Sequence, residues 1–237
     1  ALSNAGTVLG DVGADFNVFI GHQVADSNPT AATHNVGMGY QSLSALTLGD
    51  SNVCIGASSG YAITTANHTV FIGHSAGEAV TVTGGSNVSD GTVGIGRSAL
   101  AALTSGSYNT ALGYRALETF EANTLNHGEN TAIGYYAMQA ATTGTENTAV
   151  GKGALGVGAL TGDANTVVGD NAGAALTSGE KNVAIGAYAL DGGSTETDFN
   201  VAIGYECLGG SIGTEVVNDC VAIGAYALDG ALVAATS

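Results

Sequence analysis

The sequence has no Trp, a single Pro and only four Lys or Arg among its 237 residues. So few cations argue against a nucleic-acid partner, because phosphate binding is driven by basic groups that displace counterions. Adsorption to anionic lipid headgroups is disfavoured for the same reason. Set against twenty Asp and Glu, the four cations leave a formal net charge of −16. No apolar run approaches the ~20 residues needed to span a bilayer, so no membrane insertion is expected. Charged residues make up only 10% of the chain and hydrophobic ones 45%, a balance too apolar for a disordered polymer. The opening Ala1-Leu2-Ser3-Asn4 has neither an initiator Met nor a basic signal head, and reads as the start of a processed chain or a fragment.

What the chain has in abundance is Gly, 38 residues, and the glycines are periodic. Runs of the type Asn-Thr-Ala-Ile-Gly end at thirteen anchors: Gly10, Gly21, Gly39, Gly56, Gly73, Gly96, Gly113, Gly134, Gly151, Gly169, Gly186, Gly204 and Gly224. The spacing is mostly 17 or 18 residues, with longer intervals of 23, 21 and 20 before Gly96, Gly134 and Gly224. One unit therefore recurs along the chain, and residues 1–237 read as a single repeat domain with an incomplete first coil.

Each column of the repeat has its own chemistry. One residue before the anchor, from Leu9 and Ile20 to Ile203 and Ile223, every side chain is apolar. Three before it every residue is Val or Thr. Strand alternation puts these two columns on one face, which reads as the core. The residue between them is Ala in Ala111, Ala132, Ala149, Ala184, Ala202 and Ala222, and Phe, Val, Cys or Gly elsewhere. A strand wetted on one side alternates apolar with polar, so this second apolar face is expected to be covered by another copy of the chain. Four before the anchor Asn appears nine times, from Asn17 to Asn200. Coils stacked ~4.8 Å apart let such amides hydrogen-bond up and down a ladder. After the anchor come two variable residues, a small residue and often Leu, as in Gly186-Ala187-Tyr188-Ala189-Leu190. That segment predicts a second short strand or a corner, closed by polar turns such as Ser105-Gly106-Ser107. Together the columns predict an all-β parallel β-solenoid of about 13 coils.

The nine-residue units Asn109 to Leu117, Asn130 to Met138, Asn147 to Leu155, Asn182 to Leu190 and Asn200 to Leu208 resemble the repeats of trimeric autotransporter adhesin heads and of related phage tail fibres. The resemblance implies a parallel β-roll with three chains about a common axis, hence a homotrimeric fibre. The hexapeptide motif of left-handed β-helix acyltransferases fits less well. It demands aliphatic residues six and twelve positions after each Ile, where Ile133 is followed by Gln139 and Thr145.

Little in the sequence points to catalysis. No phosphate loop, nucleophile elbow or zinc spacing occurs, and the expectation is a non-enzymatic protein with no cofactor. Cys207 and Cys220 leave a disulfide open. Glu129, Glu146, Asp163 and Glu180 precede the ladder Asn in four consecutive coils, an acidic edge read either as a solvated surface or as a site for a divalent cation such as calcium. Seven of nine Tyr follow an anchor, among them Tyr135 and Tyr136, suited to subunit seams or to sugar contact. The long spacings place insertions at Glu78 to Asp90, Glu118 to Glu129 and Gly209 to Asp219, and edge loops commonly carry binding. Phe120 and His127, in the middle one, join Tyr135 and Tyr136 as candidate receptor contacts. The expected function is an extracellular structural or adhesive fibre segment, either a virion tail fibre or a bacterial cell-surface adhesin. It would mediate host attachment by presenting loops to a host glycan or protein. The alternatives are a self-assembling filament subunit and, further off, a tailspike-type polysaccharide-degrading enzyme.

Overall fold

The computed structural model describes residues 16–27, 29–81, 90–121, 128–192, 197–210 and 217–230. The first repeat, ending at Gly10, lies outside the described residues. The chain forms two compact units, Ala1–Gly128 and Glu129–Ser237, and both are built from the same coil.

In the first unit the repeats form β1 (Val18–Ile20), β2 (Val36–Met38), β3 (Val53–Ile55), β4 (Val70–Ile72), β5 (Val93–Ile95) and β6 (Thr110–Leu112). Consecutive strands pair in parallel and column on column, so that Phe19, Gly37, Cys54, Phe71, Gly94 and Ala111 stack. In the second unit β7 (Thr131–Ile133), β8 (Thr148–Val150), β9 (Thr166–Val168), β10 (Val183–Ile185), β11 (Val201–Ile203) and β12 (Val221–Ile223) do the same. Parallel strands require crossover connections, and here each crossover is the rest of one coil. Each unit is therefore an all-β parallel solenoid, as the repeat predicts.

The faces are assigned the other way round from the sequence expectation. The central strand residues are the buried ones: Cys54, Phe71, Ala111, Ala132 and Ala184 are wholly enclosed. The Val/Thr and Ile columns face outward, with Ile20 54% exposed, Leu112 45% and Ile185 40%. The reason is the narrowness of the coil. Its interior is filled from the other side by Leu43, Leu46, Leu100, Leu103 and Leu117 in the first unit and by Met138, Leu155, Leu160 and Leu176 in the second. Small residues predominate opposite them. Where the strand carries Phe71 instead, neighbouring positions are stripped to glycine. A Cβ at Gly77 would lie 2.7 Å from the Phe71 ring, and one at Gly94 2.8 Å from it.

The segment after each anchor is a corner, not a second strand. It turns through left-handed residues, for example Tyr188 at φ 57° and Leu190 at φ 56°, with Phe199 at φ 59° before the next strand. A non-glycine residue pays about 1–2 kcal/mol for that conformation, and it persists only where the surroundings over-determine it. Stacking does so here. The Tyr188 N–H donates back to Asp170 O at 2.9 Å, and the Leu190 N–H donates forward to Cys207 O at 2.9 Å. One bond in each direction ties this corner to the coils on either side.

The Asn ladder is present as expected. In the second unit the Asn165 amide accepts at Oδ1 from both N and Nδ2 of Asn182, each at 3.0 Å. The Asn182 amide repeats the pattern with Asn200 at 3.0 and 3.1 Å. Each Nδ2 also caps a turn carbonyl, as Asn182 does with Thr197 O at 2.7 Å. These side chains are fully buried, so the ladder is an internal polar spine and not a surface turn motif.

Candidate functional surfaces

The four carboxylates of the acidic edge fall into two columns and do not converge. Asp163 and Glu180 lie six residues before an anchor, Glu129 and Glu146 five. Asp163 Oδ1 accepts from the Thr145 backbone N–H at 2.6 Å and from its hydroxyl at 3.1 Å. Glu180 pairs with Lys181 at 3.2 Å. Glu129 and Glu146 sit at left-handed corners, φ 60° each, with their side chains exposed. Among the described residues no group of three or more His, Cys, Asp or Glu is placed to hold a metal ion.

Asp163, accepting from Thr145, belongs instead to a second ladder that the sequence reading missed. Thr33 N–H donates to Asp50 Oδ1 at 2.6 Å, Asp50 N–H to Asn67 Oδ1 at 2.8 Å and Asn67 N–H to Asp90 Oδ1 at 3.1 Å. Asp198 and Asn218 continue the pattern in the second unit, accepting from Glu180 N–H and Asp198 N–H. The signal was in the sequence: Asp or Asn lies six residues before Gly56, Gly73, Gly96, Gly169, Gly204 and Gly224. Short acceptors there satisfy backbone donors that a turn would otherwise leave unpaired.

Of the candidate receptor contacts, Phe120 is a correction. Its side chain is fully buried in the core, because it occupies the column seven residues after an anchor that Leu46, Ile63, Val80 and Leu103 fill in other coils. His127 lies outside the described residues, as do most of the three insertions. Tyr135 and Tyr136 are together, their ring centroids 4.1 Å apart, with Tyr135 47% exposed. A further aromatic feature lies elsewhere: Tyr188, Tyr205 and Tyr226, on consecutive coils, meet edge to face at 6.2 and 5.4 Å. His22, His34, His68 and His74 are all exposed.

Cys207 and Cys220 are free thiols, not a disulfide. The Cys207 thiol donates to Ala222 O at 3.2 Å. Burial pushes the Cys54 thiol up to about 12 and also raises that of Cys207. A thiolate is the reactive species, so maleimide labelling of the native chain is expected at Cys220 alone. Mass spectrometry should find Cys54 and Cys207 labelled only after unfolding.

Comparison with protein-family models, with characterised proteins and with solved structures gives no match. The chain is thus defined by its own geometry: a parallel β-solenoid with a repeat of 17 or 18 residues. Among the described residues no helix is long and apolar enough to cross a membrane.

Proposed function

We propose that this chain is a structural segment of an extracellular homotrimeric fibre, a virion tail fibre or a bacterial surface adhesin, that mediates attachment and is not an enzyme. The observation that carries the reading is the outward sheet face. In both units it is two unbroken columns, Val or Thr and Ile, Leu, Met or Val, with no charged residue in either. Contiguous apolar surface of this kind marks an interaction site. Three copies packed on these faces would bury the aliphatic columns along a common axis. The earlier expectation of a trimer is kept, but its contact moves from the Ala column to the Val/Ile face.

Light scattering on the purified chain tests this. The unaltered protein is expected at three times the chain mass. Ile133→Glu with Ile185→Glu should give a folded monomer, because each site is a surface position in the single chain, where changes stay within about 0.5 kcal/mol. In the trimer the same change would bury unpaired charges. Ala184→Arg, directed into the coil interior, should instead unfold the chain. An unaltered protein that is monomeric at micromolar concentration defeats the proposal.

A further inference from the structure

The end of the chain has a charge distribution that the fold does not use. No Lys, Arg or His follows Lys181, while seven Asp and Glu do. Three of the seven gather around the aromatic strip of the second unit. In the column two residues after the anchor the order is Tyr188, Glu206, Tyr226, and in the column before it Ala187, Tyr205, Ala225. Tyr205 therefore stands between two alanines and is 44% exposed, and Tyr226 is 58% exposed. The Tyr205 hydroxyl donates to Glu206, which, with neighbouring charge, pushes the phenol up to about 12. Burial raises the Asp191 carboxyl, and the nearby charges of Glu206 and Asp229 raise it further. The carboxylates thus share one neighbourhood, yet they form no metal cluster among the described residues.

We propose that Tyr188, Tyr205 and Tyr226, with Asp191, Glu206 and Asp229, form a binding face for a glycan carrying free amino groups. It deepens the adhesive reading above, on which its biological meaning rests. Two independent attractions select the same ligand. Exposed Tyr rings offer apolar faces to the C–H surface of a pyranose, and their quadrupoles attract cations. The three carboxylates pair with ammonium groups through charge-assisted hydrogen bonds. Both features repel an anionic glycan, as does the net charge of −16. The ~4.8 Å coil step offers one ring per coil, close to the length of one hexose residue in an extended chain. A cation too broad for a metal cluster, and attached to a stackable ring, is what this spacing accommodates.

The test is isothermal titration of the full chain with a tetramer of glucosamine, at a pH where its amines are protonated. The N-acetylated tetramer serves as the uncharged counterpart and choline chloride as an ammonium without a pyranose. The amine tetramer is expected to bind, with both comparators at least about tenfold weaker and with affinity falling as salt rises. Tyr205→Ala, Tyr226→Asn and Glu206→Gln should each weaken it by about tenfold, whereas Tyr205→Phe, which keeps the ring, should retain most of the affinity. Glu206→Gln preserves side-chain length at a left-handed corner and is the decisive arm if an aromatic deletion lowers the melting temperature. Absence of binding by the amine tetramer, equal binding of either comparator, or unchanged affinity in Glu206→Gln would each overturn the proposal. A monomer that binds the tetramer would sink the fibre and leave this site, and a trimer that ignores it would do the reverse.

Discussion

Replacing Asn182 by Ala should lower the stability of the second unit by of order 4 kcal/mol and the melting temperature by about 10–20 °C. The side chain takes part in four hydrogen bonds: it donates to Asn165 Oδ1 and Thr197 O, and it accepts from Asn200 N and Nδ2. Its removal leaves the Asn200 N–H and the Thr197 carbonyl facing nothing in a site closed to water, at about 1–3 kcal/mol for each orphaned group. Asn182→Thr should recover part of the loss. The first unit already uses that solution, since Thr69 replaces Asn in the ladder and donates from its hydroxyl to Asn52 Oδ1 at 2.7 Å.

Asn182→Asp tests the same site by charge. A carboxylate there points oxygen at two acceptors and is buried, so its folded pKa must lie above the ordinary ~3.9. The folded state then binds the proton more tightly than the unfolded chain does, and protonation favours folding. The variant should be least stable at neutral pH and gain stability as pH falls through the raised value. Thermal melts that show the opposite slope would mean the carboxylate is relieved by water or by a shifted backbone.

The columns were readable because solenoid coils repeat their environment, so identical chemistry recurs wherever identical neighbours recur. The register, the parallel pairing and the buried Asn spine followed from that alone. The direction of the faces did not. A three-residue strand divides its side chains into two sets, but when both sets are apolar the alternation carries no sign. Size carried it instead. Phe71 is compensated by Gly77 and Gly94, an exchange that only a closed interior requires, whereas the Val and Ile columns vary without compensation. Phe120 was misread for a related reason: as one aromatic among acids it looked like a contact residue, yet its distance from Gly113 equals that of Leu46 from Gly39. The Asp and Asn of the second ladder were hidden because short polar residues spaced one coil apart suit a solvated edge as well as a row of backbone acceptors. The Tyr strip lies across two adjacent columns, and only the corner geometry shows that Tyr205 reaches both Tyr188 and Tyr226.

Gly151→Ala is expected to be among the most damaging single substitutions, and Gly224→Ala to be mild by comparison. Gly151 has φ 141°, a region that residues with a Cβ seldom enter. An added Cβ would overlap the carbonyl oxygen of Gly169, the anchor of the next coil. That carbonyl cannot retreat, because the Gly169 N–H is held by Val150 O at 2.9 Å and the Gly186 N–H donates to Val168 O at 2.8 Å. The substitution therefore adds an interlocked steric conflict to backbone strain, and a loss of at least about 4 kcal/mol is expected, at the upper end for point changes. Gly224 shares the conformation, φ 127°, but among the described residues a Cβ there meets nothing within 4 Å. It should show the strain alone, about 1–2 kcal/mol. Denaturant melts of the two variants separate the contributions. Equal losses would mean that the anchors are glycine for their backbone conformation only, and that the close approach of successive coils contributes nothing to the choice.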